Sequence, residues 1–578
     1  MSHRQVLESL SGLLLGMFVS ILAATVVSTS LPLIISDLKG DQSAYTWVVT
    51  ATLLATTVST PLWGKFADLF NRKLLIQLAL AVFVLGSAAA GFSQDTSTLI
   101  LFRVFQGLGA GGLAALSQII MADIISPRER GKYAGLFGGV MAVGTVGGPL
   151  LGGLVTDSFG WRWNFFIALP IAIVAIVLLQ LTLHLPKHPK RRVKVDYLGA
   201  VLIAGGVSLL LIWVSLAGRD FEWASATSYT MVGGAVALLV AAVIVELKVS
   251  EPIIPLSMFR NRTFTLSVVA SLSVGVSMFG TSVFLAQYMQ LSRGATPTQS
   301  GLLTIPLMAG LLISSTVFGG IISRRGTWKS IMITGSVLVI AGTALLGTLA
   351  YDTNLVLVGI YMAVLGAGLG MLMQNLVLVV QNSIEVKNLG VATSAVTFFR
   401  SLGGTIGVSV LGSVLGTIVA QQITDGIGDL SVADQATAVQ TLGTGTIPQV
   451  ALLPDAIRVL VESAYGVAIG SVFLYSVPLA VLTLIAVALL PNAPLGSLNA
   501  VQLKSAAGAT RTGGIRAVPS SPDERARTLH DAEDALIEAS TGAVALRPAG
   551  QNHPTGAIDT IPGDSRPDED PSGPRAAR

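Results

Sequence analysis

The chain has 578 residues, of which 52% are hydrophobic and 11% charged, with a formal net charge of +4. Soluble proteins carry about 25% charged residues, so a soluble globular domain is excluded, and a mean hydropathy of +0.73 places the chain in a membrane. There is no cysteine, which removes disulfides, thiol nucleophiles and cysteine-ligated metals, and His3, His184, His188, His530 and His553 all fall outside apolar runs, which argues against an intramembrane zinc or haem site.

After a short polar start at Met1–Leu10 come apolar runs long enough to cross ~30 Å of hydrocarbon. They lie at about 12–35, 44–63, 74–93, 98–121, 133–156, 163–183, 197–217, 226–247, 265–290, 300–322, 330–350, 355–381, 391–418 and 465–490. This pattern predicts 14 transmembrane helices. The first run continues through a full span, unlike a cleaved signal peptide. Alternate loops gather the cations: Lys65, Arg72 and Lys73; Arg128, Arg130 and Lys132; Lys187, Lys190, Arg191, Arg192 and Lys194; Lys248, Arg260 and Arg262; Arg324, Arg325 and Lys329; Lys387. The opposite loops hold only Lys39, Arg162, Arg219, Arg293 and Arg458. The positive-inside rule makes the first set cytoplasmic, and an even number of spans puts both termini there. Trp47, Trp161, Trp163 and Trp223 then sit near outer span ends, where indoles prefer the interface.

The first span contains Thr25 and no acid. The turn after the second span reads Gly64-Lys-Phe-Ala-Asp68-Leu-Phe-Asn71-Arg72-Lys73. One anion among cations at helix ends can form a latch that holds one conformation and releases in another. Asp123, Arg128, Glu129 and Arg130 of the next cytoplasmic loop can complete it. A plain positive-inside loop accounts for the cations equally well, but not for Asp68. Arg103 lies about one and a half turns into the fourth span with Gln106 on its face. An arginine at that depth costs at least a few kcal/mol unless paired or hydrated. It is either a transport and coupling group or a side chain snorkelling to the outer interface.

The fifth span carries Gly144-Thr-Val-Gly147-Gly148-Pro149-Leu-Leu-Gly152-Gly153. Gly144, Gly148 and Gly152 share one face, and Pro149 removes a backbone donor and bends the helix beside them. Such a ridge admits a neighbouring backbone, either as plain packing or as a surface where two bundles meet and rock. Acids are few: Glu246 near the inner end of the eighth span, and Asp123 and Asp157 at helix ends. A proton carrier normally uses a carboxylate or histidine in its pathway, and none stands out. Gln287 and Gln290 in the ninth span, and Gln374 and Asn375 in the twelfth, bond either a substrate or another helix. Arg400 opens a glycine ridge in the thirteenth span, nearer the cytoplasmic end, where anchoring and transport roles are equally open.

The organisation is duplicated. Gly64–Lys73 is echoed by Gly319–Gly326, Gly107–Gly111 by Gly366–Gly370, and the fifth-span ridge by Gly403, Gly404, Gly407 and Gly412. Spans 1–6 thus match 9–14, with two inserted between them, a repeat of the kind two-bundle transporters show. Residues 418–463 read as an outer loop with short helices such as Val432–Leu442. Residues 492–578 have few large apolar side chains and read as a disordered cytoplasmic tail, inert or regulatory.

Taken together, these residues resemble the 14-span drug:proton antiporters of the major facilitator superfamily. Gly64–Lys73 resembles the family's loop motif, with Asn71 where a glycine is usual; Arg103–Gly109 its fourth-span motif; Gly144–Gly153 its antiporter motif; and Trp161–Pro170 the start of its sixth span. The similarity covers about residues 10–490. It implies an all-α integral membrane protein of the major facilitator fold: six-helix bundles at 1–183 and 265–491, two inserted helices within 184–264, and a tail at 492–578. It also implies alternating access and proton-driven export of amphipathic compounds. Asp68 and Arg72 would act in the latch, with Gly64, Lys73, Arg128 and Arg130 around them. Arg103, beside Gln106, would be linked to proton transfer, and Gly148 and Pro149 would belong to the antiporter motif. One departure matters: the family's first-span aspartate, two residues before the threonine, is here Ala23. That puts recognition of cationic drugs in doubt and moves the coupling question to Arg103.

The chain therefore reads as a proton-coupled multidrug efflux antiporter of the cell membrane and not an enzyme, since no paired acids, serine–histidine set or metal ligands appear in the spans. It calls for no cofactor and no metal; its partners are a small amphipathic molecule, the proton and membrane lipid, with no nucleic acid. Thr25, Gln287, Gln290, Gln374, Asn375 and Arg400 are the candidate cavity residues. A dedicated exporter of one endogenous metabolite or lipid is the second reading, and a non-transporting receptor or scaffold the third.

Overall fold

The computed structural model describes residues 3–39, 42–183, 196–218, 221–249, 252–385, 388–442 and 453–496. The linker at 184–195, Arg219, Lys387, residues 443–452 of the expected outer loop and the tail from 497 lie outside the described residues, as do His184, His188, His530 and His553. The described residues belong to one compact unit within 1–513. They are helical, with no strand among them and only an isolated bridge between Ala217 and Phe221.

The helices are α1 (His3–Asp37), α2 (Gln42–Leu69), α3 (Arg72–Gly91), α4 (Thr96–Ile124), α5 (Pro127–Phe159), α6 (Trp163–Phe166), α7 (Ala168–Thr182), α8 (Tyr197–Leu216) and α9 (Ala226–Lys248), followed by α10 (Arg262–Gln287), α11 (Pro297–Leu303), α12 (Ile305–Arg325), α13 (Lys329–Leu346), α14 (Leu355–Ser383), α15 (Leu389–Ile427), α16 (Val432–Leu442) and α17 (Asp455–Ala488). Among the described residues, 12 helices are long and apolar enough to cross a membrane. α2 and α5, with 28 and 33 residues, match them in length.

Several helices outrun the apolar windows. α2 continues to Leu69, so Gly64–Asp68 form its last turns and not a loop. α5 starts at Pro127, with proline in the first helical turn, where its missing N–H is harmless. α15 runs 39 residues and α17 begins at Asp455, so most of the outer loop expected at 418–463 is helix. The cause is packing: Ile423, Ile427 and Leu430 meet Ile457 and Val461, and Arg458 pairs with Asp455 at 2.8 Å in the first turn of α17. Tertiary contact sustains helix that hydropathy does not detect. The start of the expected tail is fastened too. Trp328 Nε1 donates to Ala493 O at 2.8 Å, and Gly496 N to Asn382 Oδ1 at 2.9 Å.

Two large apolar cores form, one drawn from Val6 to Leu183 and the other from Ala270 to Leu495. Matching glycines set matching neighbours in each. Gly107 and Gly111 bring α4 against α2, and Gly109 brings it against α3. Gly366 and Gly370 likewise bring α14 against α12, and Gly368 brings it against α13. Gly144, Gly148 and Gly152 seat α5 on α1, as Gly403 and Gly407 seat α15 on α10. Lipid offers no hydrophobic drive between helices, so close backbone approach is what holds them. α8 lies along the seam between α2 and α15, its Ile203, Val207 and Leu211 clustered with Leu54, Val58, Phe398 and Ile406.

Candidate functional site

Hydrogen bonds joining α1–α7 to α10–α17 cluster at one end of the bundle. Asp68, on the last turn of α2, accepts from the backbone N–H groups of Gly390 at 2.9 Å and Val391 at 3.0 Å. A carboxylate of one half thus caps the N-terminus of α15 in the other, where unpaired N–H groups and the helix dipole favour an anion. Arg72, only 1% exposed, bonds Asp68 Oδ1 at 3.1 Å, Asp123 Oδ1, and Ala67 O at 2.8 Å. Gly64 and Gly390 permit the approach. A methyl group at Gly64 would overlap the Ser394 hydroxyl, and one at Gly390 would stand 2.6 Å from Gly64 O. Lys73 turns away to Gln180 O at 2.8 Å. Exposed Glu129 accepts from Ser126 Oγ at 3.2 Å. Arg128 lies in the first turn of α5, its side chain outside the described set.

A second layer lies beside the first. Arg130 donates to Ile125 O at 3.0 Å, Ala122 O at 3.1 Å and, across the halves, Gln381 Oε1. Gln381 Nε2 in turn donates to Thr393 Oγ1 at 3.0 Å, and Gln118 Nε2 to Gln374 Oε1 at 3.1 Å, again across the halves. Gln118, Gln381 and Thr393 escaped the sequence reading. The available signal was an amide inside an apolar helix, where it has to bond something.

Arg103 sits toward the opposite end, 4% exposed. Its Nη1 donates to Gln106 Oε1 at 2.6 Å and its Nε to Val48 O at 3.3 Å. The guanidinium is therefore held inside the helices by neutral acceptors and does not run along their surface to the interface. Gln106 Nε2 has no partner.

The glycine ridge of α5 joins α1 and not the other half. An added Cβ would lie 2.8 Å from Ile21 Cγ2 at Gly144 and 2.8 Å from Val26 O at Gly152, and would overlap the Thr25 hydroxyl at Gly148. Thr25 Oγ1 is 3.0 Å from Gly144 O. That is the plain packing reading of the ridge; contact between α5 and the other half runs through Gly138 and Gly139, which face Ser315 and Leu312 of α12. Gly147 and Gly153 meet nothing within 4 Å. α5 stays helical through Pro149, whose side chain is outside the described set.

The other candidate cavity residues are dispersed. Gln287 and Gln290 stand near the Arg103 end; Gln287 Oε1 is buried without a partner, and Gln290 lies in a π-helical turn over Tyr288–Ser292. Asn375 Nδ2 bonds Met371 O of its own helix at 2.6 Å. Arg400 is eleven residues beyond Leu389, about 16 Å along the 39-residue α15 at ~1.5 Å per residue, in the third of that helix nearer the Asp68 end. Its Nε and Nη2 are buried without a partner. The acids are engaged elsewhere. Glu246 accepts from the N–H groups of Ile253 at 3.0 Å and Ile254 at 3.2 Å. Asp37 accepts from the Trp161 indole at 2.8 Å and from Arg162 at 3.3 Å. The Trp161 hydrogen bond above all holds the Asp37 carboxyl below its ordinary range. The side chain of Asp157 is outside the described set.

The model of the Major Facilitator Superfamily matches residues 13–408. Multidrug transporter protein MdtP of Bacillus subtilis (strain 168) is 35% identical over 416 residues, covering 72% of this chain and 76% of that protein. Multidrug resistance protein 3 of the same strain is 31% identical over 470 residues, covering 80% and 91%. Among solved structures, a bacterial homolog of the human lysosomal transporter Spinster, inward-facing and unoccupied, shares the fold with a TM-score of 0.53 at 16% identity, covering 84% of this chain and 98% of that one.

Proposed function

The chain belongs to the Major Facilitator Superfamily, and from that premise we propose that it is a proton-coupled antiporter exporting amphipathic or hydrophobic compounds by alternating access. It is a transporter and not an enzyme, a multi-pass protein of the cell membrane that moves small molecules. The reading adds α2 and α5 to the 12 apolar helices to make 14 spans, with both termini cytoplasmic. It assigns residues 1–183 and 265–491 to two bundles that rock against each other. Lysine and arginine placement supports the Asp68 end as the cytoplasmic one.

The observation that carries this reading is the Asp68 cap on α15. It joins the halves through two N–H···O contacts with Arg72 and Asp123 behind them. Hydrogen bonds to a charged group contribute about 1.5–3 kcal/mol each, so a cargo or proton with a comparable preference for the open form can reverse the closure. Proton coupling is assigned to Arg103 and Gln106, whose pairing would change with protonation in the path.

Fluorescent-dye efflux from cells expressing the chain, with and without an uncoupler, tests the proposal. Efflux should collapse when the gradient does, and gradient-independent efflux overturns the coupling. Ala23, 0% exposed where relatives of this kind would carry an acid, favours the dedicated exporter as the second reading. A knockout that accumulates one native compound without becoming drug-sensitive would select it.

A further inference from the structure

We propose that Arg400 is an anion-binding residue of the cargo site and that the preferred cargo is an amphipathic carboxylate; the proposal rests on the export reading above. Thr393, seven residues before Arg400, meets Gln381 of α14 at 3.0 Å, and Gly407, seven residues after, packs on Val276 of α10. Residues seven apart fall close to one face of a helix, so Arg400 lies on the stripe of α15 that faces α10 and α14. At its level Gly275 lets α10 close on the Arg400 carbonyl.

The side chain is half-buried, and its Nε and Nη2 are buried with no hydrogen-bond partner. These two donors occupy one edge of the guanidinium, the edge that meets both oxygens of a planar carboxylate. A cation held at membrane depth without a partner is strongly disfavoured, so the site calls for a counter-ion. The buried carboxylates are placed elsewhere: Asp68 and Asp123 are held by Arg72, Glu246 caps backbone N–H groups, and Asp196 accepts from Gly199 N at the start of α8; Asp37 is tied to Trp161. The other deep guanidinium, Arg103, has only neutral acceptors. Between the two ends of the bundle the described helices carry these two guanidiniums and no carboxylate, an arrangement that attracts an anion and repels a cationic amphipath.

The test uses three fluorescent probes with one apolar skeleton: pyrenebutyrate, pyrenebutanol and pyrenebutylamine. Binding is read by fluorescence on the full-length protein in detergent, and transport separately in inverted vesicles. The wild type should bind the butyrate most tightly. Arg400→Gln should lose ~10- to 100-fold of that affinity and keep its affinity for the butanol, while Arg400→Lys falls between. Equal binding of all three probes by the wild type, a preference for the amine, or an equal loss for every probe in Arg400→Gln overturns the proposal. A carboxylate preference that depends on Arg400 in binding, without transport of any probe, leaves the anion site standing and removes the export reading. If purified wild type retains phosphatidylglycerol, Arg400→Gln releases it, and no probe is discriminated, the anion is a lipid headgroup and the cargo assignment fails.

Discussion

Asp68 and Arg72 sit in one triad but do different jobs, and substitution should separate them. Asp68→Asn keeps an oxygen near Gly390 and Val391 but loses the charge that suits a helix N-terminus. Arg72 and Asp123 remain a balanced pair. We expect normal expression and a closed form weakened by ~1–2 kcal/mol, read as slower efflux and faster labelling of cysteines placed at the Asp68 end. Arg72→Ala instead strands two buried carboxylates, which costs ~3–5 kcal/mol and should appear as lost protein. Arg103→Ala removes a guanidinium that reaches Val48 and Gln106 together. It should abolish gradient-driven efflux while the protein still reaches the membrane; wild-type rates in inverted vesicles would refute the coupling role. Arg103 was legible in the sequence because a lone cation in an apolar run stands out. Gln106, three residues on, was legible with it; Val48 was not, since it lies 55 residues away and no local pattern marks a backbone carbonyl.

At the level of helices, hydropathy locates the part of each element that matches hydrocarbon and is blind to polar turns kept helical by packing. Val432–Leu442 has in the structure the bounds expected from the sequence; the ends of α2, α15 and α17, polar turns of that kind, do not. The spacing of Gly144, Gly148 and Gly152 announced a packing face; only the coordinates identify α1 as its partner. Gly148→Ala should push a methyl group into the Thr25 hydroxyl and destabilise by ~1–3 kcal/mol. Thr25→Gly removes both the hydroxyl and the Cβ, which stands 2.5 Å from that methyl group, so the double variant should recover part of the loss, a coupling that non-contacting sites do not show. Gly153→Ala has open space around it and should change stability by no more than ~0.5 kcal/mol. Thermal unfolding in detergent measures all four proteins, and strictly additive losses would refute the α1–α5 contact.

Across the whole molecule, the repeat was visible as glycine echoes, and the reason is physical: wherever two backbones touch in lipid the residue has to be small, so related packing leaves related spacing. The meeting of the halves left no such trace. Gln118 and Gln374 are 256 positions apart, Asp68 and Gly390 322, and nothing along the chain links them. The seam between α5 and α12 gives the most direct test of motion, because the chain has no cysteine to remove first. A Cβ at Gly138 would lie 2.8 Å from Ser315 Oγ, within the reach of a disulfide. The pair Gly138→Cys and Ser315→Cys should cross-link under mild oxidation in this conformation, each single variant should not, and the bond should hold the Asp68 end shut. If the halves separate there during each cycle, oxidation halts dye efflux and reduction restores it. Because cargo acts by favouring one form, its addition should also change the rate of cross-linking. A cross-linked protein that still transports at the uncross-linked rate would mean that α5 and α12 move as one body, and the opening would have to be sought elsewhere in the bundle.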